Sequence, residues 1–142
     1  MNLESLRSLQ KRIREAKGAD RELDWIIANT FKVYRDVFAM GASVITHLDA
    51  PNFTLDPDGL GPCVGLMREV LPGWQWTVSE STLETKGGRF FSFVHVPIGY
   101  DAPGPWPEGF CHHSNPCLSL LYSIISALIA QEEEAKHTEK AG

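Results

Sequence analysis

No apolar run in this chain approaches the eighteen or so residues that a bilayer-spanning helix requires. The opening stretch, MNLESLRSLQKRIREAKGAD, is charged and amphipathic where a secretory leader is apolar. Positive charge is also short: 13 lysines and arginines face 18 acids, for a net charge of -5. That balance argues against capture of a nucleic-acid polymer or an anionic membrane, while leaving room for a small anion in a local basic pocket. Cysteine is scarce and odd in number (Cys63, Cys111 and Cys117), which excludes a disulfide-stapled scaffold and predicts reduced thiols in a cytosolic protein. No nucleophile, metal or phosphate-loop motif fixes a reaction, so the chain is expected to be non-catalytic and to need no cofactor.

What is present is enough for one domain: 142 residues, 43% of them apolar. Leu3, Leu6, Leu9 and Ile13 recur at helical spacing and predict an amphipathic amino-terminal helix over residues 1–17, ended by Gly18. Asp20 is placed to cap a second helix whose core face carries Leu23, Ile26, Ile27, Phe31, Tyr34 and Phe38. From Met40 to Asp58 the chain reads as an irregular connection, with an extended piece at Ser43 to Thr46. A third, short helix carries Leu60, Val64, Met67, Val70 and Leu71; Asp56 or Asp58 caps it and Pro72-Gly73 stops it.

Alternation over Trp74 to Ser79 and again over RFFSFVHVP predicts an antiparallel hairpin across residues 74–97. Phe90, Ser92, Val94 and Val96 fall on one face, with Phe91, Phe93 and His95 on the other; both faces are bulky, which predicts cover on both. Pro116 belongs in a first helical turn capped by Ser114 or Asn115. Leu118, Leu121, Tyr122, Ile125, Leu128 and Ile129 then make the apolar stripe of a long core helix. Residues 131–142 read as a polar tail that frays. The fold class is therefore an α/β sandwich of the α+β kind, a small antiparallel sheet with helices on its faces.

Between hairpin and last helix, residues 97–116 hold five prolines and three glycines and read as a long loop that collects aromatics and paired histidines. Within it, His112, His113, Ser114 and Asn115 lead into the helix start at Pro116, where free N–H groups and the helix dipole suit an anion. Trp106, Tyr100 or Phe110 can stack on a base, and Arg89, Arg68 or Arg35 can supply a bidentate phosphate or ribose contact. The same residues read equally as an ordinary helix cap and an aromatic lid packed on the sheet.

Three stretches resemble the phage ABA sandwich domain family: GADRELDWIIANTF, FTLDPDGLGPCVGLMREVLPGWQWTVS and HHSNPCLSLLYSIISALIA. The likeness spans Gly18 to Ala28, Phe53 to Trp76 and Asn115 to Ile129, and its motifs are mainly structural. The chain departs from the pattern in its longer amino-terminal helix, in the Asp56 to Pro62 turn and in the proline-rich loop. The resemblance implies an α/β sandwich encoded by a phage or prophage, in a family largely without assigned activity. By analogy with small phage proteins that sequester nucleotide signals of bacterial immunity, it implies a sponge for a cyclic ADP-ribose type of signal in the host cytosol. The alternative is a protein-interaction module that plugs a host protein through its aromatic loop.

Other chemistries compete for the same residues. Cys111, His112, His113 and Cys117 offer zinc ligands within seven residues, although structural zinc sites usually split their ligands into two separated pairs. A nucleophilic pair can be drawn from Cys111 or Cys117 with His95 or His47, but no oxyanion loop accompanies it. Trp74 and Trp76 form either a binding platform or, as is commoner, core packing. The last helix, apolar over more than one stripe and bearing Ser119, Ser123 and Ser126, predicts a homodimer or higher homo-oligomer formed through it.

Overall fold

Residues 2–32, 50–56, 58–81, 88–101 and 106–141 are described by a computed structural model, with side chains to residue 136. Helix α1 (Leu3–Glu15) starts where the Asn2 side chain accepts the Glu4 N–H, and buries Leu3, Leu6, Leu9 and Ile13, as its spacing predicts. Helix α2 (Arg21–Phe31) is capped by Asp20, whose Oδ1 accepts the Leu23 N–H at 3.1 Å; it ends on Lys32 in the left-handed region at φ 51°. Tyr34, Phe38 and the Ser43 to Thr46 piece lie outside the described residues.

Helix α3 (Leu60–Val70) corrects one expectation, since neither Asp56 nor Asp58 caps it. Its N-cap is Gly59, seated so close to the Phe53 and Asn52 carbonyls that a Cβ there would collide with both. Backbone proximity closes this turn in place of a carboxylate.

The sheet has the order β1 (Gln75–Glu80), β2 (Phe90–His95), β3 (Glu108–His113), all antiparallel. The predicted hairpin is present, with Trp76 opposite Val94 and Val78 opposite Ser92. Strand β3 was not expected: it lies within the stretch read as a long loop, and its residues pair along β2 from Phe90↔His113 to His95↔Glu108. Its sequence, EGFCHH, carries no β-branched residue and no apolar alternation, so pairing with β2 rather than local propensity makes it a strand.

Helix α4 (Pro116–Ala141) lies across the sheet, packed on β2 and β3, and also contacts α1 and α3. It buries Leu118, Leu120, Leu121, Ile124 and Ile125 in one cluster with residues of all three other helices and Val94. At about 1.5–3 kcal/mol for each large apolar side chain fully buried, this helix holds the layers together. Its approach to β3 is close enough to require Gly109, where a Cβ would run into the Ser123 carbonyl oxygen. Residues 132–141, read from the sequence as a tail, continue α4, and Glu133 reaches Arg7 of α1 at 2.5 Å.

The architecture is an α+β sandwich, with one amendment to the expectation. Among the described residues, helices cover only the face of the sheet that carries Ser92 and Val94. Ser119 and Ser123 are wholly buried against Ser92: its Oγ donates to the Ser119 carbonyl at 2.7 Å and lies 2.5 Å from the Ser123 Oγ. Ser126 accepts from Gln10 of α1 at 2.9 Å. The small residues read as a dimer stripe therefore serve packing inside one chain.

Candidate functional site

Period-two alternation fixes what each strand presents on the face away from α4. From β2 come Phe91, Phe93 and His95, and from β3 come Glu108, Phe110 and His112, with the smaller Gln75, Thr77 and Ser79 along β1. Phe91 and His112 stand with ring centres 4.8 Å apart, and Phe93 and His95 at 4.9 Å. Phe110, opposite Phe93, is 60% exposed. An apolar ring that open to water is unusual in a core and ordinary in an interface.

This face runs into a cleft of about 330 Å³ at the end of the sheet where β1 begins, β2 ends and β3 begins; Gln75, Phe93, His95, Tyr100, Trp106 and Glu108 line it. Tyr100 and Trp106 meet edge to face at 6.2 Å and 77°, and Trp74 backs Tyr100 at 6.5 Å. Gly99 turns the chain after β2 with φ 84°, a conformation that side-chain-bearing residues rarely adopt. The cleft volume lies at the small end of the range, about 300–1,000 Å³, in which proteins hold small ligands or single anchoring side chains.

The eight residues read from the sequence fall in three places. Tyr100 and Trp106 wall the cleft, and Phe110 and His112 stand on the adjoining face. Arg89 sits at the other end of β2, about 17–20 Å away along a strand of this length, with its Nε 2.9 Å from Glu80. His113, Ser114 and Asn115 make the junction into α4. Of the other arginines considered, Arg68 is exposed on α3 and Arg35 lies outside the described residues.

That junction is a filled cap. Asn115 is buried, its Oδ1 accepts the Cys117 and Leu118 N–H groups at 2.8 and 3.1 Å, and its Nδ2 donates to the Thr54 carbonyl. Pro116 has no N–H, and the Ser119 N–H bonds the Asn115 carbonyl, so the donors that an anion would have used are taken. Ser114 is exposed and does not cap. His113 stands half-buried on the opposite side of β3 from His112; its Nδ1 accepts the Asn115 N–H at 3.0 Å and its Nε2 lies 3.1 Å from the Ala16 carbonyl. Burial lowers its pKa below the ordinary imidazole value.

Sequence reasoning missed the polar hub beside this cap. Asp24, 1% exposed, accepts both the N–H and the hydroxyl of Thr54 at 2.9 Å and meets Arg21 at 3.1 Å. Burial pushes its carboxyl up, against the pull of those bonds. Thr54 also accepts the Asp20 N–H, so one threonine ties the start of α2 to the start of α4. The visible signal was an acid at an otherwise apolar helix position, Asp24 between Leu23 and Ile27.

The competing chemistries find no assembled geometry. Among the described residues no three metal-binding side chains come together. Cys111 and His112 are on opposite faces of β3. Cys117 is buried beside Cys63; burial, and then the contact with Cys117, raises the Cys63 thiol well above its usual range, while their hydrogen bond lowers that of Cys117. Burial takes the Cys111 thiol to about 11, so it stays protonated at neutral pH. His95 pairs with Glu108 and lies on the face opposite to Cys111; His47 is outside the described residues. Trp76 is only partly packed: 39% exposed, it walls a second, apolar cleft of about 440 Å³ beside Leu60 and Val64 of α3.

No helix among the described residues is long and apolar enough to cross a membrane. Comparison with protein-family models, with curated proteins and with solved structures finds no match.

Proposed function

We propose that this protein is a non-catalytic binding module that engages a partner protein through the outer face of its sheet and the Tyr100–Trp106 cleft. The observation that carries the reading is the exposed Phe110 at the centre of β3, flanked by Phe91, Phe93, His95 and His112 on a face that no described helix covers. Aromatic side chains in such a setting supply contact area at small conformational cost, and they are the residues that dominate binding energy in protein interfaces.

Sequestration of a nucleotide-derived signal draws less support from the geometry. The cleft walls can stack a base, but among the described residues no lysine or arginine lines it, Arg89 is a strand's length away, and the helix N–H groups are occupied. The likeness to the phage ABA sandwich family rests on its sequence motifs, and with it the expectation of a bacterial-host partner.

Affinity recovery with three forms of the protein tests the proposal: the natural sequence, Phe110→Ser, and Arg7→Ala as a control on the far side of the molecule. Partners retained by the natural sequence and Arg7→Ala but lost by Phe110→Ser are expected. Equal recovery by all three forms would refute the assignment of this face. A thermal shift with a cyclic nucleotide in the absence of any protein partner would favour the sponge instead.

A further inference from the structure

The chemistry of the cleft is one-sided. Trp106, Tyr100 and Phe93 give it aromatic walls, and the Tyr100 and Trp106 rings stand nearly perpendicular, as two sides of a box. Among the described residues Glu108 is the one formally charged side chain on its lining, and it is exposed; Asp101, also exposed, follows Tyr100 in the chain. His95 faces Glu108 directly across the strand pair. Aromatic faces carry negative charge density and attract cations, a preference that an adjacent carboxylate reinforces. The same carboxylate repels phosphate and other anions.

From this arrangement we infer that the cleft is a receptor for an organic cation, the guanidinium of arginine or an alkylated lysine ammonium, presented by the partner. A guanidinium flat against Trp106 has its N–H fork in the plane that a Glu108 carboxylate can meet in bidentate fashion. An alkylated ammonium instead fills the box and meets Glu108 as a point charge. The volume of about 330 Å³ accommodates one such side chain. The inference rests on the partner-binding reading, because it places the cation on a partner side chain, but the cleft is testable with that side chain alone.

The experiment is an NMR titration of the full chain, following its tryptophan indole signals, with N-acetyl-arginine methylamide, N-acetyl-trimethyllysine methylamide and, as anionic comparison, adenosine monophosphate. Saturable shifts of the Trp106 indole with either cation are expected at millimolar affinity, with none from the nucleotide. The cation that binds more tightly identifies the class. Trp106→Ala and Glu108→Gln should each weaken binding about three- to tenfold, and added salt should weaken it further. Glu108 is exposed, so Glu108→Gln keeps the test decisive if Trp106→Ala fails to fold.

Absence of saturable cation shifts, unchanged affinity in Glu108→Gln, or tighter binding of the nucleotide would each overturn the inference. Loss of the protein partner in Phe110→Ser alongside its retention in Glu108→Gln would remove the cation site while leaving the partner-binding face standing. Loss of neither would remove both.

Discussion

His113 can satisfy both of its neighbours in only one form. The Asn115 N–H needs an unprotonated Nδ1, and the Ala16 carbonyl needs a proton on Nε2, so the neutral ring protonated at Nε2 fits and the imidazolium does not. The folded-state pKa lies below the unfolded one, so the contribution of this group to stability is whole above about 6.5 and is lost as pH falls toward the lower folded value. Thermal melts between pH 8 and pH 5 should therefore show a decline on the acid side that His113→Gln flattens. An equal decline in both proteins would place the acid sensitivity elsewhere.

Asn115 gives a second test at this scale. Asn115→Ala strands two helix N–H groups and the Thr54 carbonyl, and should cost about 1–3 kcal/mol in denaturant unfolding. Asn115→Asp keeps the cap oxygen but not the donor, and should fall between. At this scale the sequence was legible where one residue's chemistry decides the outcome. Asp20 and Asn115 cap as their types and positions imply, because a cap needs only its own helix. Phosphate binding at Asn115 was not legible, since whether helix N–H groups are free depends on where one side-chain oxygen turns. The Asp24–Thr54 bond joins residues thirty positions apart, and no local pattern announces it.

Among the elements, those held by their own periodicity were readable: the amphipathic α1, the core helix α4 and the alternating strands β1 and β2. Strand β3 was not, because Glu108, Phe110 and His112 face outward while Gly109, Cys111 and His113 face inward, an order with no hydrophobic alternation. It exists because β2 offers an unpaired edge and because Gly109 lets α4 settle on it. Gly109→Ala should accordingly be far more costly than a glycine substitution in an open strand, about 1–3 kcal/mol, through displacement of α4. Gly61→Ala, with open space around its Cβ position on α3, should be neutral or slightly stabilising in the same unfolding measurement. Comparable losses in the two variants would contradict the close packing of α4 on β3.

The whole molecule is a sheet with one face committed to the core and the other turned outward among the described residues. Bulky side chains on both faces of β2 were visible in the sequence and predicted cover on both sides. Chain topology settles which side the described helices take, and among the described residues the aromatic side has no helix over it. If that side is an interface, its residues contribute little to folding: Phe110→Ser should leave stability within about 0.5 kcal/mol of the natural protein. Val94→Ala, on the buried face of the same sheet, should cost several times as much by the same melt.

The most direct test of the partner-binding face is a photo-crosslinking measurement. A benzoylphenylalanine placed at Phe110, and another at Arg7 on α1 as a control, would be irradiated in cells expressing the protein. A discrete heterologous adduct formed from position 110 and absent from position 7 is the predicted result. No adduct at 110, the same adducts from both positions, or an adduct with a second copy of the chain alone would contradict a face built for a different protein.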